Sequence, residues 1–193
     1  MRSVVLALIL ALSSSACGYG FRSKSNPWAN RGVRKVYIPM LINNSLKAGI
    51  EVPFTSAFVK EFSRGNRLRV VTDESDADAR VVGTITSFDS EINSFTSVPQ
   101  LAPNDVGAQA LSDMVVASEY VAKANIQVQL VAKGGAVLWM QVFNRPKIYP
   151  AGNRFGLQGS TSALINASQE ALALDNIAGF IASDVYDTML EAF

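Results

Sequence analysis

Sixteen carboxylates, one thiol and no imidazole define the chemistry open to this 193-residue chain. Without histidine, the Ser-His-Asp and Cys-His arrangements that activate a nucleophile are impossible, as are zinc sites built on imidazole. The densest acidic stretch, Asp73-Glu74-Ser75-Asp76-Ala77-Asp78, invites a calcium reading. It lacks the glycine and the distal glutamate of a calcium loop, so a solvated turn is the better account. Hydrolysis by paired carboxylates needs two acids about 5 to 10 Å apart in a cleft, whereas the acids here fall at turns and helix ends. No catalytic residue, metal or cofactor is expected.

The thiol is placed for a different chemistry. Met1-Arg2 gives a short positive start, Val4 to Leu12 an apolar run, and Ser13-Ser14-Ser15-Ala16 a small-residue region before Cys17. The apolar run is shorter than the about 20 residues that span a bilayer, so residues 1–16 read as an export signal that is removed. The Cys after small residues resembles the lipobox of bacterial lipoproteins, in which the thiol receives diacylglycerol and the new amine is acylated. It departs from the usual pattern at Ser14, where Leu is common. Gly18 follows where an inner-membrane retention signal would carry Asp, so the resemblance implies the outer membrane. Several acyl chains, at about 0.8 kcal/mol per buried CH₂, hold a protein at a membrane.

The elements that carry these residues follow from composition and pattern. The chain is 49% hydrophobic and 17% charged, with 17 Lys+Arg. That is the balance of a folded domain rather than a disordered one. Loss of residues 1–16 removes Arg2 and no acid, which leaves 16 positive and 16 negative side chains. A neutral chain of this kind is a poor match for nucleic acid. Residues 17–32 read as a lipidated tether, and a single domain is expected over 33–193.

Val33 to Pro39 reads as a first strand, and Asn43-Asn44-Ser45 as a turn. Phe54, Phe58 and Phe62 with Val59 define an amphipathic helix starting near Glu51, with Pro53 in its first turn. Leu68 to Thr72 and Ala79 to Ile85 are further strands. From Tyr120 to Ala132, apolar residues alternate with Lys123, Asn125, Gln127 and Gln129, so one face is core and the other wet or partner-bound. Gly134-Gly135 suits a hairpin turn into Ala136 to Asn144, with Leu138, Met140 and Val142 on one face. Trp139 falls on the opposite face, either covered by a second element or making contacts. Leu174, Ile177, Ile181 and Val185 stripe a long terminal helix over about Ser162 to Leu190. The result is an α+β fold, a two-layer α/β sandwich whose mixed sheet has about four to five strands and whose second layer is two helices.

Residues 87–118 show no convincing pattern. They hold Phe88, Ile92, Phe95, Val98, Leu101, Val106, Leu111 and Met114 but no Lys or Arg, and read as a partner-facing segment with Phe95 and Leu101 as contact candidates beside Trp139.

In order along the chain, Cys17-Gly18-Tyr19-Gly20-Phe21-Arg22, Val36-Tyr37-Ile38-Pro39, Asn43-Asn44-Ser45, Ala48-Gly49-Ile50-Glu51, Ala77-Asp78-Ala79, Gly83-Thr84-Ile85 and Glu119-Tyr120 resemble the lipopolysaccharide-assembly lipoprotein family LptE. The resemblance implies a non-enzymatic outer-membrane lipoprotein on the periplasmic side. Such a protein plugs the lumen of the LptD β-barrel, supports its assembly and helps deliver lipopolysaccharide to the outer leaflet. It also implies basic residues that meet the lipid's phosphates. The region before Glu119-Tyr120 has none, whereas Arg145, Lys147 and Arg154 follow the Trp139 strand and are the lipopolysaccharide-binding candidates. The alternatives are a lipid-anchored envelope module that binds cell wall and, further off, a carboxylate hydrolase.

Overall fold

Phe54, Phe58 and Phe62 recur every four residues, so a helix aligns them on one stripe, and all three are fully buried. Their helix, α1, is Glu51–Gly65. Pro53 lies in its first turn, where backbone N–H groups lack intrahelical partners anyway. Asn66 ends the helix in the left-handed conformation, at φ 56°. Burial of each phenylalanine contributes about 1.5–3 kcal/mol.

The computed structural model describes residues 26–98, 114–152 and 160–191. Three strands are short: β1 (Lys35–Tyr37), β2 (Ile42–Asn43) and β3 (Arg69–Val71); three are long: β4 (Ala79–Val98), β5 (Met114–Ala132) and β6 (Val137–Pro150). β1 lies between β3 and β4, parallel to both, and β2 runs parallel to β4 further along. Parallel neighbours require a crossover, which α1 supplies between β1 and β3. β4, β5 and β6 form an antiparallel meander. The final helix, α2, is Ser160–Glu191. Leu174, Ile177, Ile181 and Val185 on α2 join the α1 phenylalanines and the inner sheet residues Val81, Ile85, Ile126, Val128 and Leu130 in one core.

This is the expected two-layer α+β fold with a mixed sheet and two helices. Its sheet has six strands rather than four or five, the addition being β2. The Asn43 turn exists beside it: the Asn43 side-chain oxygen accepts from the Ser45 N–H at 3.0 Å.

Packed structure starts before Val33. Pro27–Arg31 form one turn of 3-10 helix, and the Asn26 side-chain oxygen accepts from the Trp28 N–H at 2.9 Å. Trp28 is only 1% exposed, and its indole N–H donates to the Met189 carbonyl at 2.9 Å. The last residues of the 17–32 tether therefore belong to the core, and the first strand shortens to Lys35–Tyr37. Residues 1–25, with Cys17, lie outside the described residues.

The 87–118 segment is corrected in the same way. Most of it is strand, because β4 runs on to Val98 and β5 starts at Met114. Bulges broke the pattern. Ile85 pairs with Ile126 and Ser87 with Asn125, which leaves Thr86 as an extra residue. Before it the inward residues are odd-numbered, Val81 and Ile85, and after it the inward residue is Phe88. Such a shift exchanges the two faces, so alternation read straight through it loses phase. β6 likewise outruns Asn144 and ends at Pro150. It is an edge strand and carries one ladder only, so Pro146 is tolerated inside it.

Candidate functional site

The outward face of the meander is built from β5. Ala122, Ala124, Ile126, Val128 and Leu130 are buried, so Lys123, Asn125, Gln127 and Gln129 project to the other side. Asn125 links three strands there: its amide N–H donates to Ser87 Oγ at 2.8 Å, and its oxygen accepts from the Asn144 amide at 2.5 Å. Gln127 and Gln129 both reach the Met140 sulfur, at 2.9 and 3.5 Å. Met140 and Val142 are exposed on this face, at 56% and 63%. Lys123 is in an ion pair with Glu91. The centre of the face is thus an uncharged surface of amides, a thioether and methyl groups, suited to close contact without the cost of desolvating a charge.

Met140 and Val142 share a face opposite Trp139, as the alternation predicts, and that face is the outer one. The ladder pairs Leu130 with Trp139 and Val131 with Val137, so Leu138 is a bulge residue and packs against the core instead of sharing that outer face. Trp139 consequently faces the core, half-buried, with its ring centre 6.2 Å from that of Phe143. Of the two roles open to Trp139, the covered one is the one observed. The signal that could have found Met140 was its register opposite Gln129.

Arg145 and Lys147 are strand residues rather than loop residues. They pair opposite Ala124 and Ala122, on the helix-covered side of β6. Being two apart, they share that side. Arg145 is bound to Asp184 of α2 with Nε–Oδ2 at 2.7 Å, so its charge is already balanced. Lys147 stands beside it, partly exposed. Arg154 and Leu101 lie outside the described residues. Phe95, opposite Ala117 on β4, is 63% exposed, and Val115 on the neighbouring strand is 66% exposed. The far end of the β4–β5 ribbon therefore presents apolar side chains.

The acidic turn is structural. Asp73 accepts from the Ser75 N–H at 2.8 Å, which holds its carboxyl below the usual range. Asp78 accepts from the backbone N–H groups of Arg34 and Lys35, at 2.9 and 2.8 Å, and these bonds lower its pKa. Hydrogen bonds to the ionised form have that effect. Asp78 thus ties the start of β4 to the start of β1. Among the described residues no group of three or more acids or thiols could hold a metal ion. No described helix is long and apolar enough to cross a membrane.

Comparison with known proteins supplies what geometry alone leaves open. A family model described as "LptE: Lipopolysaccharide-assembly" matches residues 33–189. No curated protein matches the chain. Among solved structures, the chain is similar to the PelC dodecamer subunit from Paraburkholderia phytofirmans, with 11% identity and a TM-score of 0.47 over 82% of this chain and 88% of that one. Lipoprotein B from Nitrosomonas europaea matches with 14% identity and a TM-score of 0.42, over 87% and 90% of the two chains. The rare lipoprotein B from Shewanella oneidensis matches with 14% identity and a TM-score of 0.41, over 79% and 94%.

Proposed function

The chain belongs to the LptE lipopolysaccharide-assembly family, and from that premise we propose that it is an outer-membrane lipoprotein that plugs and supports an LptD-type β-barrel. In this reading Cys17 is acylated and anchors the chain on the periplasmic side. The folded domain occupies the barrel lumen, assists lipopolysaccharide delivery to the outer leaflet and carries out no reaction of its own. The observation that supports the plug role is the uncharged outer sheet face around Gln127, Gln129, Met140 and Val142. A barrel wall can approach such a face closely, because amides can re-pair across the contact while methyl groups pack. Lys147, with Arg145 and Arg154, is the candidate set for the lipid's phosphates.

The test is co-purification from outer membranes of the native protein and of a Met140→Asp/Val142→Asp variant. The native protein should carry an acyl mass on Cys17 and bring down one large barrel, and the variant should keep its acylation and lose the barrel. Recovery of cell-wall fragments instead of a barrel would refute the plug reading. In direct titrations with lipopolysaccharide, combined Arg145→Ala, Lys147→Ala and Arg154→Ala should weaken binding, more so at low salt. Unchanged binding by the folded triple variant removes these residues from lipid recognition.

A further inference from the structure

A second cationic region lies at the opposite edge of the sheet, where nothing above assigns a role. Arg34, Arg67 and Arg69 line one cleft of about 340 Å³, together with Ser63, Asn66, Leu68 and Val70. The backbone sets this convergence. β3 pairs beside β1 with Arg69 opposite Lys35, and the Arg69 N–H donates to the Arg34 carbonyl at 2.9 Å. The left-handed Asn66 turns the chain out of α1, and the Arg67 N–H donates to the Tyr186 hydroxyl at 3.2 Å, which fixes the third arginine at the same end.

The cleft lining contains no acid. Of the nearby acids, Glu61 pairs with Arg64 at 2.8 Å and Asp78 accepts from two backbone N–H groups, while Asp187 acts with Arg67 on the Tyr186 hydroxyl, outside the cleft lining. Among the described residues none of the three guanidinium groups is in an ion pair. Three like charges around one cleft repel each other, a cost that a bound anion reverses. The flanking Ser63 hydroxyl and Asn66 amide add neutral donors. Planar guanidinium groups grip a phosphate bidentately, so this set suits a phosphate group better than a lone carboxylate.

Position adds a second argument. Asn26, the first described residue, donates from its side-chain amide to the Val33 carbonyl at 2.7 Å, one residue before Arg34. Nine residues separate Asn26 from Cys17, which span at most about 30 Å. A chain acylated at Cys17 would hold Asn26 within that distance of a membrane surface, and Arg34 directly follows the residue to which Asn26 is bonded. Basic side chains so placed add to attachment at an anionic membrane surface.

We infer that Arg34, Arg67 and Arg69 form a binding site for a phosphate group, supplied either by an anionic phospholipid headgroup or by a soluble phosphate. The acylation at Cys17 explains only how a headgroup would be reached; the cleft itself is independent of it and of the plug role.

The test uses the chain from Gly18 onward, which keeps every described residue. Co-sedimentation with vesicles of phosphatidylcholine, with and without phosphatidylglycerol, measures headgroup binding, and calorimetric titration with pyrophosphate measures soluble phosphate. Arg34→Gln/Arg67→Gln/Arg69→Gln is compared with Arg80→Gln/Lys123→Gln/Lys133→Gln, which removes the same charge elsewhere. The cleft variant should weaken phosphatidylglycerol binding at least about tenfold, and the control by far less. Pyrophosphate binding lost in the cleft variant identifies the phosphate itself as the ligand. Vesicle binding without pyrophosphate binding identifies the headgroup at a surface. Equal losses in both variants, or no binding of either ligand by the parent, overturns the site. Circular dichroism of each variant confirms that the fold is kept.

Discussion

Gly65, the last residue of α1, lies directly beneath the Tyr186 ring, and its replacement gives the sharpest test of how the two helices are joined. A Cβ built at Gly65 would stand 2.0 Å from Tyr186 Cζ and 2.1 Å from its hydroxyl oxygen. No small shift relieves that overlap, so in Gly65→Ala the ring must leave its place. It would lose the edge contact with Phe62, at 5.1 Å between centres, and the bond from the Arg67 N–H. Overpacking costs about 1–3 kcal/mol; the hydrogen bond adds about 1 and the aromatic contact about 1. Against these stands about 1 kcal/mol gained from alanine's better helix propensity. The net loss is about 2–4 kcal/mol. Urea unfolding of the chain from Gly18 onward, followed by circular dichroism, reads this as a lower midpoint at constant slope. In a Tyr186→Ala background the same replacement should cost nothing or stabilise slightly. If Gly65→Ala costs the same with and without the Tyr186 ring, to within about 0.5 kcal/mol, the joint is not where the structure places it.

Val128→Asp should destabilise the domain by at least about 3 kcal/mol, because it buries a carboxylate in an apolar core, whereas Gln129→Asp on the outer face should cost under about 1; equal midpoints in denaturant would contradict the facing of β5. The Asp78 carboxyl has a lowered pKa in the folded state, so the stability it contributes is present above its unfolded value near about 3.9 and lost as pH falls through the lower folded value. Asp78→Asn should therefore lower stability at pH 7 by about 1 kcal/mol, with the gap to the parent narrowing below about pH 4; a gap that is constant with pH would show that the charge does not matter.

Much of this architecture is written in short-range pattern. The phenylalanine stripe of α1, the alternation of β5 and the Leu174–Ile177–Ile181–Val185 stripe of α2 each keep one period throughout, and each appears where the pattern places it. What was hidden has identifiable causes. Thr86 and Leu138 each insert one residue into a ladder, which disguised the second half of β4 as a loop and took Leu138 out of the face it was expected to share with Met140 and Val142. Trp28 looked like part of a tether because its partner, the Met189 carbonyl, is 161 residues away. Arg145 looked like a free cation because Asp184 comes from the other layer. The arginine cleft was invisible for the same reason: Arg34 and Arg67 are brought together only by the parallel pairing of β1 and β3.

The bond from the Trp28 indole to the Met189 carbonyl also makes the domain nearly a ring. The described chain starts at Asn26 and stops at Glu191, and that one bond fastens its two ends together. Every strand and both helices then lie on a circuit whose opening at this point is incidental to the packing. The circuit could be broken instead at Gly134-Gly135, in the exposed turn between β5 and β6, without cutting a strand or a helix. The Trp28–Met189 bond puts the first described residues and the end of the last helix at one corner of the domain. Anything attached to the N-terminus then acts on that corner and leaves the rest of the circuit undisturbed.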